Sequence, residues 1–524
     1  MMMQTTELSR KAHRHKSRVK TGCKTCKIRR VKCDEEKPSC TRCNSTGRKC
    51  DGYATQNESQ IAGHGQALIF INVASPVFKS GFGDNVQHLE FYHHCARPTL
   101  SSAFDKEFWS RIVLQMAQSE PAVRHALIAV SYLHQTETGS LKYARSEFLA
   151  NHNRQTLLFH YNKSVQCLIA RMAESSYTAE IGLVTCVLFI CIEYLRANYN
   201  TAFVHLTNGL KILSEREKCD PKYSGTMRNG TIGVNDMIEE KIRPIFIRGM
   251  MSGLLYGVIV EKVFDISCPL PEELREGPFE SLLEAQSISH EIRNASVLYI
   301  RVISKKLLHR ETITTKDLQL QQRLLMCHDT WYQNLEHFAS SNRLAEEDIT
   351  TISALKVAYQ ATYLYTACTA AVLQMQYDVY LERFKSLIRH AKIVLASMNL
   401  TASSTAHFTF EMSLIAPIYF VATRCRCPTT RREAASLLSL NLPREGLWDA
   451  QQQAVVSQRI IEMEESEVDV DTGWPVERTR IWSTVIDGNM DRNGGFWVYF
   501  LPARLVGEVD DNGRPKVLNE WFVL

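Results

Sequence analysis

The sequence lacks the features that mark membrane, secreted or catalytic proteins. Its longest apolar run, Ile181 to Ile192, is shorter than the ~20 residues that span a bilayer and is flanked by Glu180 and Glu193, which predicts a buried helix. The first 20 residues lack the apolar core of a secretory signal, so we expect an intracellular, reducing compartment. No G-x-S-x-G, H-E-x-x-H, G-x-x-x-x-G-K-[ST] or G-x-G-x-x-G motif occurs. We therefore expect no enzyme and no membrane partner.

Acidic residues are scarce in the N-terminal part of the chain. From Arg10 to Cys50 there are 15 Lys or Arg residues and three acidic ones, so this stretch carries a charge of +12. The whole chain carries +5, which leaves −7 for the remainder. A basic head on a mildly acidic body favours a polyanionic partner for the head alone.

The same basic stretch holds six of the chain's 16 cysteines. They lie in KTGCKTCKIRRVKCDEEKPSCTRCNSTGRKCDGY (Lys20 to Tyr53), with the spacing C-x2-C-x6-C-x6-C-x2-C-x6-C. The two halves of this pattern have the same rhythm. A C-x2-C pair in a reducing compartment is typical of a structural zinc site. The predicted metal ligands are Cys23, Cys26, Cys33, Cys40, Cys43 and Cys50.

The number of cysteines limits how zinc can be bound. Two zinc ions with four sulfurs each would need eight ligands, and six cysteines can close both ions only if two sulfurs bridge. The internal symmetry makes the first cysteine of each half, Cys23 and Cys40, the natural bridge. A single zinc ion with two spare cysteines is the alternative, but it leaves the repeat unexplained.

Other uses of the cysteine cluster are weaker. A disulfide knot would need an oxidising compartment, and a metal-storage protein would be rich in cysteine throughout. A zinc module that binds RNA or protein is more credible, and so is a targeting module on an enzyme whose helical body does chemistry. The basic residues between the second and third cysteines favour DNA over these alternatives.

The cysteine-rich segment closely resembles the fungal binuclear zinc-cluster transcription factors. The resemblance covers all six cysteines, the basic residues after the second cysteine, and Pro38 in the loop between the halves. It implies a short helix in the major groove that recognises CGG-type triplets, with the family's base-reading residue at Arg30. Arg is a usual partner of guanine O6 and N7. The predicted DNA contacts are Lys27, Arg29, Arg30 and Lys32.

The resemblance also implies where the protein acts and what it meets. We expect a nuclear, zinc-dependent regulator of RNA polymerase II genes, acting on a metabolic gene set. Its partners would be double-stranded DNA and the transcription machinery or coregulators. Residues 1–20 are predicted to be a disordered basic arm, and Arg10 to Lys20 suits nuclear import or phosphate contacts.

The linker predicted over residues 54–85 has no sustained heptad of apolar residues. Many members of the family dimerise through a coiled coil at this place. We therefore expect either a monomer on a single triplet or a homodimer formed through the body.

The chain as a whole is predicted to consist of a small N-terminal zinc cluster and a large all-α helical body. The zinc cluster covers residues 21–53, the helical regulatory body 86–488, and a tail with a candidate hairpin around Asn512 and Gly513 covers 489–524. Pro121 suits a helix start with Ser119 as its cap. Three stretches also resemble the fungal-specific regulatory domain: Phe108 to His134, Cys186 to Leu213 and Arg444 to Ala450.

Three further patterns were weighed against ordinary structural roles. The acidic stretch from Glu462 to Asp471 suits a coactivator contact, but a solvated helix end or a loop of the body is favoured. His93 and His94 beside Cys95 resemble metal ligands, and Cys425 and Cys427 form a C-x-C pair. Both groups lack further ligands nearby in the sequence, so we expect structural side chains.

Overall fold

The computed structural model divides into two compact units, Met1–Pro76 and Val77–Leu524. The residues that it describes are 22–29, 31–52, 86–100, 105–136, 153–219, 237–256, 277–398, 408–410, 413–440, 442–488, 490–491, 493–503 and 517–524. The predicted basic arm, the whole of the predicted linker, Arg30, Asn512 and Gly513 therefore lie outside the described residues.

The first unit contains two short helices that follow the repeat in the sequence. Helix α1 (Lys24–Ile28) begins after the first cysteine, and α2 (Thr41–Asn44) begins after the fourth. The peptide bond before Pro38 is cis. The buried core of this unit consists of Cys23, Cys26, Cys40 and Cys43, against which Val31 and the other two cysteines pack. Sulfur therefore takes the place that aliphatic side chains hold in larger domains.

The second unit is mostly helical, as predicted. Its described helices are α3 (Val86–Phe91), α4 (Arg97–Leu100), α5 (Val113–Ser119), α6 (Pro121–Thr136), α7 (Asn153–Met172), α8 (Ala179–Leu195), α9 (Tyr199–Cys219), α10 (Arg243–Tyr256), α11 (Leu282–Leu308), α12 (Thr315–Ser341), α13 (Glu346–Cys368), α14 (Leu381–Ser397), α15 (Ile415–Arg424), α16 (Pro428–Leu438) and α17 (Ala450–Glu464). Helices α6 to α9 pack as one group, and α11 to α14 as a second. No helix among those described is both long and apolar enough to cross a membrane.

The apolar run in the sequence forms the buried helix that we predicted. Every residue of α8 from Ile181 to Leu195 is buried. Helix α6 begins at Pro121 as predicted, but its proposed cap was wrong. Ser119 ends α5 instead, where its hydroxyl donates to the carbonyl of Met116 at 3.4 Å.

The second unit also contains some β-structure, which begins inside the range 86–488 for which the sequence predicted a helical body. Strand β3 (Ile481–Ile486) lies inside that range and pairs with β4 (Gly495–Pro502), which pairs with β5 (Leu518–Val523) in an antiparallel sheet. A two-residue parallel pair joins β1 (Phe408–Thr409) to β2 (Arg444–Glu445). Strand β3 has only six residues, too few for its alternation to be recognised beside the long helical periodicities.

The family-like stretch from Arg444 to Ala450 joins several helices. The buried guanidinium of Arg444 donates to the carbonyls of Tyr194 and Leu195 at 2.7 and 3.0 Å, which satisfies the C-terminal end of α8. The carboxylate of Glu445 accepts the backbone N–H groups at the start of α15. Negative charge at a helix N-terminus is stabilising. Asp449 caps α17 through the N–H of Gln452 at 2.9 Å.

A buried ion cluster connects α17 to the sheet and to the segment before α16. The carboxylate of Glu464 accepts from Arg426 at 2.8 Å and from Arg431 at 2.7 Å, and all three side chains are fully buried. It also accepts the backbone N–H of Ile481 at 2.9 Å, which fixes the start of β3. Burial raises the pKa of Glu464, but the charges of Arg426 and Arg431 lower it by more, so the net pKa lies below the usual range.

We predict that Glu464→Ala destabilises the second unit by about 3–5 kcal/mol, because it leaves two buried guanidinium groups without their carboxylate. Urea unfolding at neutral pH measures the change. Because the folded-state pKa of Glu464 is depressed, its contribution is present at neutral pH and is lost as the pH falls through that pKa.

Glu462→Ala is the matched control. Glu462 precedes Glu464 by two residues in α17 and forms an exposed ion pair with Arg459 at 3.3 Å. Its cost should stay below about 1 kcal/mol. Equal costs for the two variants would show that the buried cluster carries no special weight.

Candidate metal centre and nucleic-acid interface

Four cysteine sulfurs of the first unit lie close enough together to share an ion. The Sγ atoms of Cys23, Cys26, Cys40 and Cys43 all lie within 4.8 Å of one another. Each sulfur of the first C-x2-C pair is 3.5–3.7 Å from both sulfurs of the second pair. Ligands that surround zinc tetrahedrally at 2.3 Å are about 3.8 Å apart, so this set fits zinc.

The two remaining cysteines lie beside this sulfur core in equivalent positions. The Sγ of Cys33 accepts the N–H of Cys23 at 3.4 Å, and the Sγ of Cys50 accepts the N–H of Cys40 at the same distance. Cys33 also lies within 4.8 Å of Cys40, together with the carboxylate of Asp34. Cys40 therefore has sulfurs from both halves as neighbours, which is the position that a bridging ligand requires.

The backbone repeats this arrangement with an offset of 17 residues. The N–H of Cys26 donates to the sulfur of Cys23, and that of Cys43 to the sulfur of Cys40, both at 3.3 Å. Glu35 and Gly52, each two residues after the last cysteine of its half, both have a positive φ. The sequence repeat is thus also a structural repeat. N–H donors aimed at sulfur favour the thiolate, which is the form that binds metal.

Without metal, burial keeps the thiols of Cys23, Cys40 and Cys43 protonated. Burial raises the pKa of Cys23 and Cys43 well above the usual thiol range, and that of Cys40 to about 11. Burial also raises the pKa of Cys50, but the N–H groups of Cys40 and Gly52 lower it more, so its net pKa lies below the usual value. A bound metal must displace these protons, so its affinity depends on pH.

A side-chain contact that the sequence did not reveal closes the unit. The fully buried hydroxyl of Thr25 donates to the carboxylate of Asp51 at 2.6 Å and accepts the N–H of Asp51 at 3.1 Å. The N–H of Lys24 donates to the carbonyl of Gly52 at 2.9 Å. These bonds hold the start of α1 against the end of the cysteine segment. Each C-x2-C pair contains one threonine, but Thr25 is buried, whereas Thr41 is exposed and donates to the carboxylate of Glu36.

The predicted DNA contacts occupy one end of α1 and the residues after it. Lys27 lies on α1, but its side chain is outside the described set, as is the whole of Arg30. Lys32 is exposed. Arg29 is half-buried and donates to the hydroxyl of Thr46 at 2.9 Å, which links the ends of α1 and α2. This link between the halves was not predicted.

The other candidate ligands do not assemble into sites among the described residues. The rings of His93 and His94 meet edge to face at 4.7 Å, and burial followed by the charge of Arg97 lowers the pKa of His93 to about 4. The side chain of Cys95 is outside the described set. Cys425 is buried, and Cys427 contacts the hydroxyl of Thr429. No group of three potential ligands includes any of these among the residues described.

The acidic stretch is more structural than the sequence indicated. Glu464 belongs to the buried ion cluster, Glu467 pairs with Arg478, and the carboxylate of Asp469 accepts the N–H of Thr472. The favoured prediction of a solvated helix end or a loop of the body was therefore incomplete, because most of these acids have partners within the second unit.

Two family models match the chain. Residues 21–60 match the fungal Zn(2)-Cys(6) binuclear cluster domain, and residues 87–228 match the fungal specific transcription factor domain. The resemblance to fungal zinc-cluster transcription regulators is confirmed for these two segments, whereas the Arg444 to Ala450 stretch lies outside the matched residues.

Individual relatives belong to the same class, and those named here are transcription regulators rather than enzymes. The aspercryptin biosynthesis cluster-specific transcription regulator atnN of Emericella nidulans is 32% identical over 230 residues, which is 38% of this chain and 35% of that protein. The transcription regulator lscL of Purpureocillium lilacinum is 27% identical over 204 residues, 36% and 48% of the two chains. The matches thus span less than half of each relative. No solved structure matches.

We predict that Thr25→Val weakens zinc binding about tenfold or more, because it removes a hydrogen bond to a carboxylate that closes the metal-dependent fold. Competition with a chelator measures the affinity of the whole chain for zinc. Ser45→Ala is the control, since Ser45 is exposed and its hydroxyl makes no hydrogen bond among the described residues. An unchanged affinity in Thr25→Val would mean that Thr25 and Asp51 do not support the metal centre.

Proposed function

We propose that this protein is a zinc-dependent, sequence-specific DNA-binding transcription factor that acts in the nucleus on RNA polymerase II genes. The observation that carries the proposal is the first unit, whose core is a set of sulfurs at zinc-ligand spacing and whose helix α1 begins a basic stretch. The two family matches and the regulator relatives support the same function.

The proposed metal content is two zinc ions held by all six cysteines, with Cys23 and Cys40 bridging. The central position of Cys40 supports this scheme, since Cys23, Cys26, Cys33 and Cys43 all have sulfurs near its own. When bound, zinc would supply the cross-links between α1 and α2. The protein contributes the thiolates and the N–H groups that orient them.

The proposed DNA contact divides base reading from phosphate binding. Arg30 and Arg29 would read the bases of CGG-type triplets, and Lys27 and Lys32 would contact phosphates, which position the protein without reading sequence. Arg30→Lys is not conservative in this scheme, because only a guanidinium can bind guanine with two parallel hydrogen bonds. The contact of Arg29 with Thr46 suggests that Arg29 also positions α1.

The proposed targets are genes of a metabolic set. The name of the Emericella relative describes a regulator specific to a biosynthesis cluster, and this supports a comparable role here. Coregulators and the transcription machinery would be the protein partners. The body is the remaining surface for a homodimer, because the predicted linker has no coiled-coil heptads.

A selection experiment tests the proposal directly. A fragment of residues 1–85 loaded with zinc is presented with random duplex DNA, and the complexes are then treated with a chelator. We expect enrichment of one or two CGG-like triplets that is lost on chelation. Binding that is independent of sequence and sensitive to salt would mean that the basic head attracts nucleic acid only through its charge. Preference for RNA would favour the alternative of a zinc module that binds RNA or protein.

We predict that Cys23→Ser and Cys40→Ser each reduce the zinc content by both ions, because each removes a shared ligand. Cys26→Ser and Cys43→Ser remove ligands of one ion only and should retain up to one zinc. Metal analysis of the purified chains after dialysis gives the ion count. Two zinc ions retained in either bridging variant would refute the scheme.

We predict that Arg30→Ala weakens binding to the selected DNA site by roughly 1–3 kcal/mol and relaxes the base preference, whereas Lys27→Ala weakens all sequences alike. Lys49→Ala is a control, since Lys49 is an exposed cation outside the predicted contact set. Titrations with the selected site and a scrambled duplex separate these effects. Full affinity and preference in Arg30→Ala would remove Arg30 from base reading.

A further inference from the structure

The second unit contains a cavity of about 660 Å³. It lies between α10, α11, α13 and α15, and strands β3 and β4 contribute Trp482, Thr484 and Leu501 to its wall. Cavities of roughly 300–1,000 Å³ bind small organic molecules. The volume is therefore large enough for a metabolite of two or three rings.

Small side chains on one face of α13 leave this space open. Ala358, Ala361, Thr362 and Thr369 all line the cavity and recur at helical spacing. Larger side chains at these positions would fill the volume, so the cavity follows from the choice of residues and not from loose packing of the helices.

Aromatic side chains form much of the remaining wall. The rings of Tyr365 and Phe420 lie 5.3 Å apart, and those of Tyr377 and Phe420 lie 6.0 Å apart. Trp448 lines the cavity too, and its ring centroid lies 6.4 Å from that of Tyr419. Flat, fixed rings of this kind provide a surface for an aromatic or aliphatic ligand body.

The charge on the cavity wall has one sign. None of the described lining residues is acidic, and the cations of the wall are Arg293, Arg301, Lys305 and Arg424. Arg424 donates to the carbonyl of Ile481 at 2.7 Å and to the side-chain oxygen of Gln374 at 3.4 Å, and it has no carboxylate partner among the described residues. A guanidinium with only neutral acceptors next to an apolar cavity favours an anion there.

Two polar atoms of the wall also lack a partner. Trp448 is only 5% exposed and lines the cavity, and its indole N–H has no acceptor among the described residues. The hydroxyl of Tyr419 has no hydrogen bond of good geometry, although Thr484 lies beside it. Buried donors without partners are costly, so a ligand that supplies an acceptor would be stabilised.

We propose that this cavity binds an aromatic or aliphatic small molecule that carries one carboxylate or similar anionic group. Arg424 pairs with the anion, Trp448 donates to an acceptor on the ligand, and the aromatic wall holds the apolar body. Ligand binding in this cavity does not depend on the proposed DNA binding.

The test uses two fluorescent probes with the same aromatic body, 1-anilinonaphthalene-8-sulfonate and the uncharged N-phenyl-1-naphthylamine. The full-length chain is titrated with each. We expect saturable binding of one anionic probe per chain, at higher affinity than the uncharged probe. Arg424→Gln should weaken the anionic probe about tenfold or more, as expected for loss of a charge-assisted bond, and leave the uncharged probe nearly unchanged.

Ala361→Trp should abolish the binding of both probes, because it fills the space beside α13. Arg432→Gln is the matched control, since Arg432 is exposed on α16 and pairs with Glu465. If thermal melting shows that Arg424→Gln disturbs the fold, Lys305→Gln repeats the charge test at an exposed position, with a loss of about twofold or more expected at a rim charge.

Three results would overturn the proposal. One is undiminished binding of the anionic probe to Ala361→Trp, which would locate the probe elsewhere. Another is equal weakening of both probes by the charge variants, which would remove the anion from the ligand class. The third is non-saturable binding of several probes per chain, which would indicate general adsorption to apolar surface.

Discussion

The N-terminal unit depends on one constraint, which is that its cysteines are its core. Four buried sulfurs take the place of an apolar interior, and Val31 is the one aliphatic side chain that packs against them among the described residues. Burial raises the pKa of Cys23 and Cys43, so these two thiols are neutral in the metal-free core and attract their neighbours only weakly. Metal binding replaces these contacts with strong bonds, so folding and metal binding are one process. The position of α1, and with it every basic side chain on that helix, follows from this process.

The second unit is organised by long-range polar contacts that join its helices. Arg444 satisfies the end of α8 some 250 residues earlier in the chain, and Glu445 satisfies the start of α15. Gly446, which follows them in the chain, has a φ of +54°, and a Cβ there would meet the carbonyl of Phe410 at 3.2 Å. These contacts give the Arg444 to Ala450 stretch a structural role in joining α8, α15 and α17. Glu464 fixes the C-terminal sheet in a similar way, because its carboxylate accepts the N–H of Ile481. The sheet in turn closes the cavity.

The sequence predicted those parts of the molecule whose signal is local. Cysteine spacing indicated the sulfur cluster because ligands of one ion must recur at short intervals, and the apolar run indicated α8 because a helix buried on all sides needs no polar face. Contacts between distant residues left no such signal. Thr25 reaches Asp51 and Arg29 reaches Thr46 only after the cluster has folded. The cavity draws its wall from four helices and two strands, so no window of sequence contains it.

The surroundings of the cations in this protein decide which anions they suit. Around the cysteine cluster the cations lie largely in water, where their attraction for phosphate is strong only in sum and is weakened by salt. Arg424 lies against an apolar cavity and bonds to neutral oxygens, where screening by ions is small and a single charge discriminates strongly between ligands. A basic surface therefore suits a long polyanion, whose many charges compensate for weak individual contacts. A guanidinium sequestered beside the cavity, such as that of Arg424, suits a small molecule that offers a single anionic group.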